Sequence, residues 1–318
     1  RKRGGAVLGK NMRSPRCFDI LLFDQFSNHC LANTVEPLRA ANTLGGGALY
    51  DWRFLTQNGG AVQSSSGLQV APHAALDQAR GDVLILMPSY AVRHIPARPL
   101  ARALHSVAPR YAALAGFDTG SWLLAQAGLL DGYRATIHWD ELTAFAERFA
   151  NVEAVRERFV LDRDRITCSG AMAAFDLICH LIAEDHGPLL AMDVAHLFMS
   201  RDATRHTPAF GAKPGRLVNR ALALMQDSIE TPLSIPALAR SIGCTQKTLE
   251  TRMQAALNAT PQAVYRRLRL THARQLVEGT HLPIAEIAQR CGYENASAMT
   301  RAFRTLFAVT PKALRDRV

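Results

Sequence analysis

The chain lacks any apolar run of the roughly 18 residues that a membrane-spanning helix needs. Its longest candidate, Leu177 to Ala183, contains His180 and is followed by Glu184 and Asp185. Cys-x-x-Cys is also missing: the cysteines at 17, 30, 168, 179, 244 and 291 are scattered. That scatter argues against a disulfide framework or a thiolate zinc site, and for reduced thiols in the cytoplasm. The histidines form no His-x-x-x-His and no Cys/His cluster at ligand spacing, so no metal is expected. Gly45-Gly46-Gly47 and Gly59-Gly60 make no phosphate-binding fingerprint, and no cofactor is expected. Residues 1–16 are basic but have no apolar stretch of a secretory signal; they are read as a basic tail.

Acidic residues are scarce in the last third. The net charge is +10 over 318 residues, and residues 213–318 carry sixteen Lys/Arg against seven Asp/Glu. Residues 17–212 are net acidic, with fifteen against twenty. The cationic face therefore belongs to the carboxyl-terminal part, where a polyanion would bind. The same part carries one pattern twice. Leu233-Ser-Ile-Pro-Ala-Leu-Ala-Arg-Ser-Ile-Gly243 parallels Leu282-Pro-Ile-Ala-Glu-Ile-Ala-Gln-Arg-Cys-Gly292. Each is followed by a second helical stretch, Thr245 to Leu257 or Asn295 to Phe307, and then by Thr260-Pro261 or Thr310-Pro311. The offset is 49 up to the glycines and 50 from Met253 and Phe303 onward, so the second turn is one residue longer. A duplicated helix-turn-helix can place two helices in the major groove from one polypeptide.

In the first copy Leu249 and Met253 form the inner stripe, leaving Gln246, Lys247, Glu250, Thr251 and Gln254 outward. In the second, Met299, Phe303 and Phe307 face inward, leaving Asn295, Ser297, Thr300, Arg301 and Arg304 outward. Gly243 and Gly292 sit at the turns, where a left-handed backbone costs least without a Cβ. Pro261 opens a long middle helix with Val264, Leu268 and Leu276 on its inner side.

This pattern resembles the AraC/XylS family of transcription regulators over about residues 217–315. The second copy carries the likeness best, in Cys291-Gly-Tyr293, Ser297, Met299-Thr-Arg301-Ala-Phe303-Arg, Phe307 and Val309-Thr-Pro311. Met299 departs from a usual phenylalanine, Asn258 and Ala308 from glycine, and Thr251 from arginine. The resemblance implies two recognition helices in successive major-groove segments. Together with the exposed faces it gives Gln246, Lys247, Glu250 and Thr251 in the first helix and Asn295, Ser297, Thr300 and Arg301 in the second as base-reading candidates. Arginine can pair with guanine, and asparagine or glutamine with adenine. Arg252, Arg304 and Lys312 are expected on phosphates, which position the protein without reading sequence.

The first part alternates strands and helices. Phe18 to Phe23, Trp52 to Thr56, Asp82 to Pro88 and Ala112 to Gly116 read as strands, with a helix near 33–42. A hairpin follows at 159–162 and 166–168, then helices near 171–185 and 188–200. The expected fold is an α/β sandwich on a mostly parallel sheet over 17–200, a linker over 201–215, and an all-α domain with two helix-turn-helix motifs over 216–318.

Between a strand and a helix lies Gly116-Phe-Asp-Thr-Gly120, of the form Gly-x-nucleophile-x-Gly with Asp118 at the turn. The segment resembles the DJ-1/PfpI, or class I glutamine amidotransferase-like, superfamily, which has cysteine there and histidine some twenty residues later. The matching positions here are Asp118 and His138, and Glu36 resembles an acidic residue near that cysteine. The combination resembles AraC-type regulators with an amidotransferase-like sensor, a branch tied to amino-acid and betaine-type catabolism.

A carboxylate is a weak nucleophile towards amides, so no amidase or protease activity is expected. What remains is an effector site lined by Glu36, Asp118, Thr119, His138, Trp139 and Cys168. Its two carboxylates beside indole rings would suit a small cationic amine. Two other roles stay open: Asp118 as a helix cap, and His138 with Trp139 as core. Trp122 is read as core. The whole reads as a dimeric, ligand-responsive activator. Its expected partners are double-stranded DNA, a small-molecule effector, a second copy and RNA polymerase, with no membrane. The competing classes are a DJ-1/PfpI-type enzyme with an attached DNA-binding domain, and an architectural DNA binder that senses nothing.

Overall fold

A computed structural model of the chain describes residues 15–198 and 215–316; the basic tail up to residue 14 and the expected linker up to residue 214 lie outside the described residues. Contacts divide the chain into two compact units, residues 1–42 with 48–178 and residues 43–47 with 179–318.

The first unit runs β1 (Arg16–Leu22), α1 (Asn28–Gly45), β2 (Tyr50–Thr56), a small ribbon of β3 (Val62–Gln63) and β4 (Gln69–Val70), β5 (Ala74–Ala75), β6 (Val83–Met87) and α2 (Ala97–Val107). It continues through β7 (Ala113–Phe117), α3 (Gly120–Gln126), β8 (Arg134–Ala135), α4 (Leu142–Arg148), β9 (Glu153–Ala154) and the hairpin β10 (Phe159–Asp162) and β11 (Arg165–Cys168) into α5 (Ala171–His186). Seven strands make one sheet in the order β10-β11-β7-β6-β1-β2-β5. Only the β10–β11 pair is antiparallel. The Val-Leu-Ile-Leu-Met run of β6 and the Ala-Leu-Ala-Gly-Phe run of β7 are buried along their whole length. That is the pattern of parallel strands covered on both faces. From β1 the chain goes to β2 on one side and later to β6 on the other, so the order reverses there. Ligands of such sheets bind outside the carboxyl ends of the strands at this reversal.

The turn after β7 has a steric cause. A Cβ on Gly116 would come within 2.5 Å of the Ser121 nitrogen, and one on Gly120 within 2.1 Å of the Leu86 carbonyl oxygen. Both positions must be glycine for β7 to turn straight into α3 over β6. Asp118 between them has a φ of 61°. A left-handed backbone in a residue with a Cβ costs about 1–2 kcal/mol, and such strain gathers at functional turns.

The second unit comprises the end of α5, α6 (Pro188–Phe198), α7 (Arg216–Asp227), α8 (Ile235–Ser241), α9 (Gln246–Leu257), α10 (Pro261–Gly279), α11 (Ile284–Arg290), α12 (Ala296–Phe307) and α13 (Pro311–Arg315). Two hydrophobic clusters of its described residues hold the helix-turn-helix copies. Val218, Met225, Leu238, Leu249 and Met253 belong to one; Ile287, Met299, Phe303 and Phe307 belong to the other. α10 serves both, with Val264, Tyr265 and Leu268 in the first and Leu270, Ala273 and Val277 in the second. The expected boundary placed α6 with the sheet; its contacts place it with the helices of the second unit instead. Every α6 residue from Leu190 to Ala195 is buried. A helix that is apolar nearly all round says that it is enclosed, not by what.

Candidate functional site

The two helix-turn-helix copies repeat in their hydrogen bonds. Thr245 caps α9 by accepting the Thr248 N–H at 3.1 Å, and Asn295 caps α12 by accepting the Ala298 N–H at 2.8 Å. Both helices end on a left-handed residue, Asn258 (φ 51°) and Ala308 (φ 57°). Thr260 and Thr310 then cap the next helices by accepting the Ala263 and Ala313 N–H groups, each at 3.2 Å, with Pro261 and Pro311 in the first turn. The start of the motif differs. Ser234 caps α8, whereas Pro283 at the matching place offers no side-chain acceptor.

These caps and the buried stripes Leu249, Met253, Leu257 and Met299, Phe303, Phe307 fix which face is outward. Gln246, Lys247, Thr251, Arg252, Asn295, Ser297, Arg301 and Arg304 are exposed; Glu250 and Thr300 are half-buried. Gln246 donates to Glu250 at 2.7 Å, and Thr251 donates to the Lys247 carbonyl at 2.9 Å. Among the described residues, no carboxylate forms an ion pair with Lys247, Arg252, Arg301 or Arg304. Their charge is available to a polyanion. Asn295 has its carbonyl oxygen in the cap, which leaves its NH2 group to donate. A two-point contact with adenine would need that oxygen as well.

The turn of the second copy is held from α10. Arg269 donates to the Cys291 and Gly292 carbonyls at 2.7 and 2.6 Å and stacks over Tyr293 at 4.2 Å. Neither Arg269 nor the buried Arg274 was singled out from the sequence, although arginines among the inner positions of α10 were the available signal.

At the elbow, main-chain bonds gather three segments. The Asp118 N–H donates to the Cys168 carbonyl, and the His138 N–H donates to the Asp118 carbonyl, both at 3.0 Å. The Thr119 hydroxyl donates to the Ser89 carbonyl at 2.6 Å. Burial raises the Asp118 carboxyl above the usual carboxylate range, opposed by His138, the Ser89 hydroxyl and the Thr119 N–H. Thr119, at the N-cap of α3, makes no side-chain cap bond. Burial pushes the Cys168 thiol up to about 12, and burial, Cys168 and Asp118 push up that of Cys30. Neither thiol has the lowered pKa of a reactive nucleophile. Ser89 and Cys30 are the site neighbours missing from the sequence-derived lining. The Ser27 N–H donates to the Ser89 hydroxyl oxygen at 2.9 Å, and the Cys30 N–H to that of Ser27 at 3.2 Å.

Asp118, Thr119, His138 and Cys168 are thus brought together, with Trp139 next in line. The Trp139 indole is 65% exposed, its ring centroid 5.7 Å from that of His138, so it is no core residue. Glu36, on α1, has a charged partner of its own. It sits half-exposed on α1 in an ion pair with Arg39 at 2.8 Å, one turn away on the same helix. A single helical turn holds both charges. Trp122 is core as expected, packed on Phe145 and Phe149, with the Arg93 guanidinium 3.5 Å from its ring centroid.

Comparison with known proteins agrees with both halves of this picture. The family described as a helix-turn-helix domain matches residues 238–317. The HTH-type transcriptional regulator GbdR of Pseudomonas aeruginosa is 34% identical over 311 residues, covering 94% of this chain and 84% of GbdR. CdhR of the same organism, also an HTH-type transcriptional regulator, is 36% identical over 303 residues, covering 92% of this chain and 90% of CdhR. An AraC family transcriptional regulator from Pseudomonas putida is similar in crystal structure, with 26% identity, a TM-score of 0.52, and coverage of 58% of this chain and 100% of that one. The chain belongs to the AraC family of helix-turn-helix transcriptional regulators, and it is a DNA-binding protein.

Proposed function

We propose that this regulator is switched by a small cationic amine held at the Asp118 elbow, and that it acts as a dimeric activator in concert with RNA polymerase. The observation that carries the ligand class is one half-buried carboxylate at the carboxyl end of β7, with the exposed Trp139 indole against the neighbouring His138. A carboxylate attracts an ammonium group, and an indole face adds a cation–π contact of about 0.5–2 kcal/mol. The Asp118 carboxylate suits a single ammonium or quaternary ammonium group. The elbow performs no acyl transfer in this reading, because Asp118 is a poor nucleophile and the two nearby thiols are held protonated.

On the DNA side, α9 and α12 read two successive major-groove segments. Gln246, Lys247, Glu250, Thr251, Asn295, Ser297, Thr300 and Arg301 face the bases, while Arg252 and Arg304 meet phosphates. Effector control requires unequal affinity of the amine for two arrangements of the dimer. The test is calorimetry with amino acids, quaternary ammonium compounds and neutral or anionic metabolites, on the native chain and on Asp118→Asn. Heat from cationic amines only, lost in the variant, is expected. Binding of neutral or anionic compounds alone, unchanged in Asp118→Asn, would remove the proposal.

A further inference from the structure

α6 precedes the stretch matched by the helix-turn-helix family, yet it belongs to the interior of the second unit. Met192 shares the first core with Leu249 and Met253 of α9. Asp193 is fully buried. Its carboxylate accepts from Arg267 Nε at 2.5 Å and from the Thr271 hydroxyl at 3.4 Å, and the Arg274 charge also acts on it. Positions 267, 271 and 274 recur at intervals of four and three, which is one face of α10. That face lies where α10 passes from the first core, with Leu268, to the second, with Leu270 and Ala273. Arg274 carries the contact onward. It pairs with Glu278 at 2.9 Å and lies 5.1 Å from the ring centroid of Phe307, the last residue of α12. α6 therefore packs on α9 and α10 and is linked to α12 through Arg274.

A buried ion pair adds little net stability, because desolvation offsets most of the attraction. Its directionality is another matter. Two apolar helix faces can slide by part of a turn at small cost, but a guanidinium and a carboxylate without water nearby have one good alignment. We propose that α6 is a positioning element of DNA recognition, in which Asp193, seated on Arg267 and Thr271, holds α10 so that α9 and α12 stand at one fixed separation. The inference rests on the reading that both helices engage DNA. Asp193, on α6 ahead of the helix-turn-helix copies, and Arg267, on α10 between them, are then positioning residues.

The test uses the full chain and the duplexes it recovers from a randomised pool at low ionic strength. Each duplex is then remade with one or two base pairs inserted between its two segments, or with one segment scrambled. The native chain should lose affinity on every insertion. Asp193→Asn should bind the native spacing about tenfold more weakly, lose most of the insertion penalty, and bind single-segment duplexes as before. Thr271→Val, which deletes one hydroxyl at nearly constant volume, should move the same way by about two- to threefold and carries the test if Asp193→Asn does not fold. Folded variants that keep the native affinity and the native insertion penalty would overturn the inference. If the native chain recovers no two-segment duplex, the reading of two DNA-engaging helices fails instead.

Discussion

The duplicated motif contains its own control experiment. Gly243 and Gly292 hold matching places, with φ of 77° and 70°. Each would cost an alanine the same left-handed strain, about 1–2 kcal/mol, partly offset by the stiffer unfolded chain, leaving roughly 1 kcal/mol. Their surroundings differ. A Cβ on Gly243 meets nothing within 4 Å. One on Gly292 would lie 2.4 Å from Pro232 Cγ, 2.6 Å from Pro232 Cδ and 2.7 Å from the Ile229 carbonyl oxygen. Carbon atoms pack at about 3.5 Å or more, so the segment between α7 and α8 must retreat by roughly 1 Å. Overpacking of this kind costs about 1–3 kcal/mol more. Gly292→Ala should therefore lose ~2–4 kcal/mol, against ~1 for Gly243→Ala. All three tryptophans lie before residue 140, so their fluorescence cannot follow the second unit. Native-state hydrogen exchange of amides in α8–α9 and in α11–α12 can. Gly292→Ala should accelerate exchange in α11–α12 well beyond anything Gly243→Ala does in α8–α9. Equal accelerations would refute the claim that the second turn is wedged against the first copy.

Three other outcomes follow from particular residues. Ala308→Gly should stabilise the second unit by about 1 kcal/mol in chemical unfolding followed by circular dichroism, since Ala308 bears left-handed strain; Asn258→Gly should gain less, because asparagine tolerates that backbone. Amine binding at the elbow needs the Asp118 carboxylate, whose pKa burial raises. Affinity should fall as pH drops through that raised value, at a higher pH than for an exposed carboxylate, and Asp118→Asn should erase the dependence. The sign for stability is the reverse of the usual carboxylate. The fold holds this proton more tightly than the unfolded chain does, so Asp118 lowers stability as pH rises through its folded pKa, and Asp118→Asn should melt later than the native chain at pH 8. On DNA, Arg304→Ala should weaken binding to all duplexes and reduce the salt slope by about 1, whereas Arg301→Ala should relax preference at one base pair, at a cost of about 1–3 kcal/mol, in competition binding.

Much of this arrangement could be read from local pattern. The unbroken apolar runs at 83–87 and 113–117 could only be interior strands, and the glycines around Asp118 announced the tight turn. The helix-turn-helix copies were legible because every turn and stripe, and every cap but the first, occurs twice. Where several partners compete for one segment, the sequence was mute. Glu36 was read as a site acid, and its ion pair with Arg39 three residues later was not foreseen. α6 was found as a helix and assigned to the sheet, because Leu189 to Ala195 names no partner; Met192 in the first core and the buried Asp193, matched to Arg267 across 74 positions, show where it belongs. α2 went unread although Leu100, Leu104 and Val107 recur at helical spacing, and β3, β4, β8 and β9 are two residues each, too short for any period.

The most direct measurement is the sequence preference of the full chain in a randomised duplex selection at low ionic strength. Two recurrent segments, centred about 10–10.5 base pairs apart and both weakened by salt, are the expected result. A single segment, or a pool with no preference at all, would contradict the account that α9 and α12 enter neighbouring grooves together.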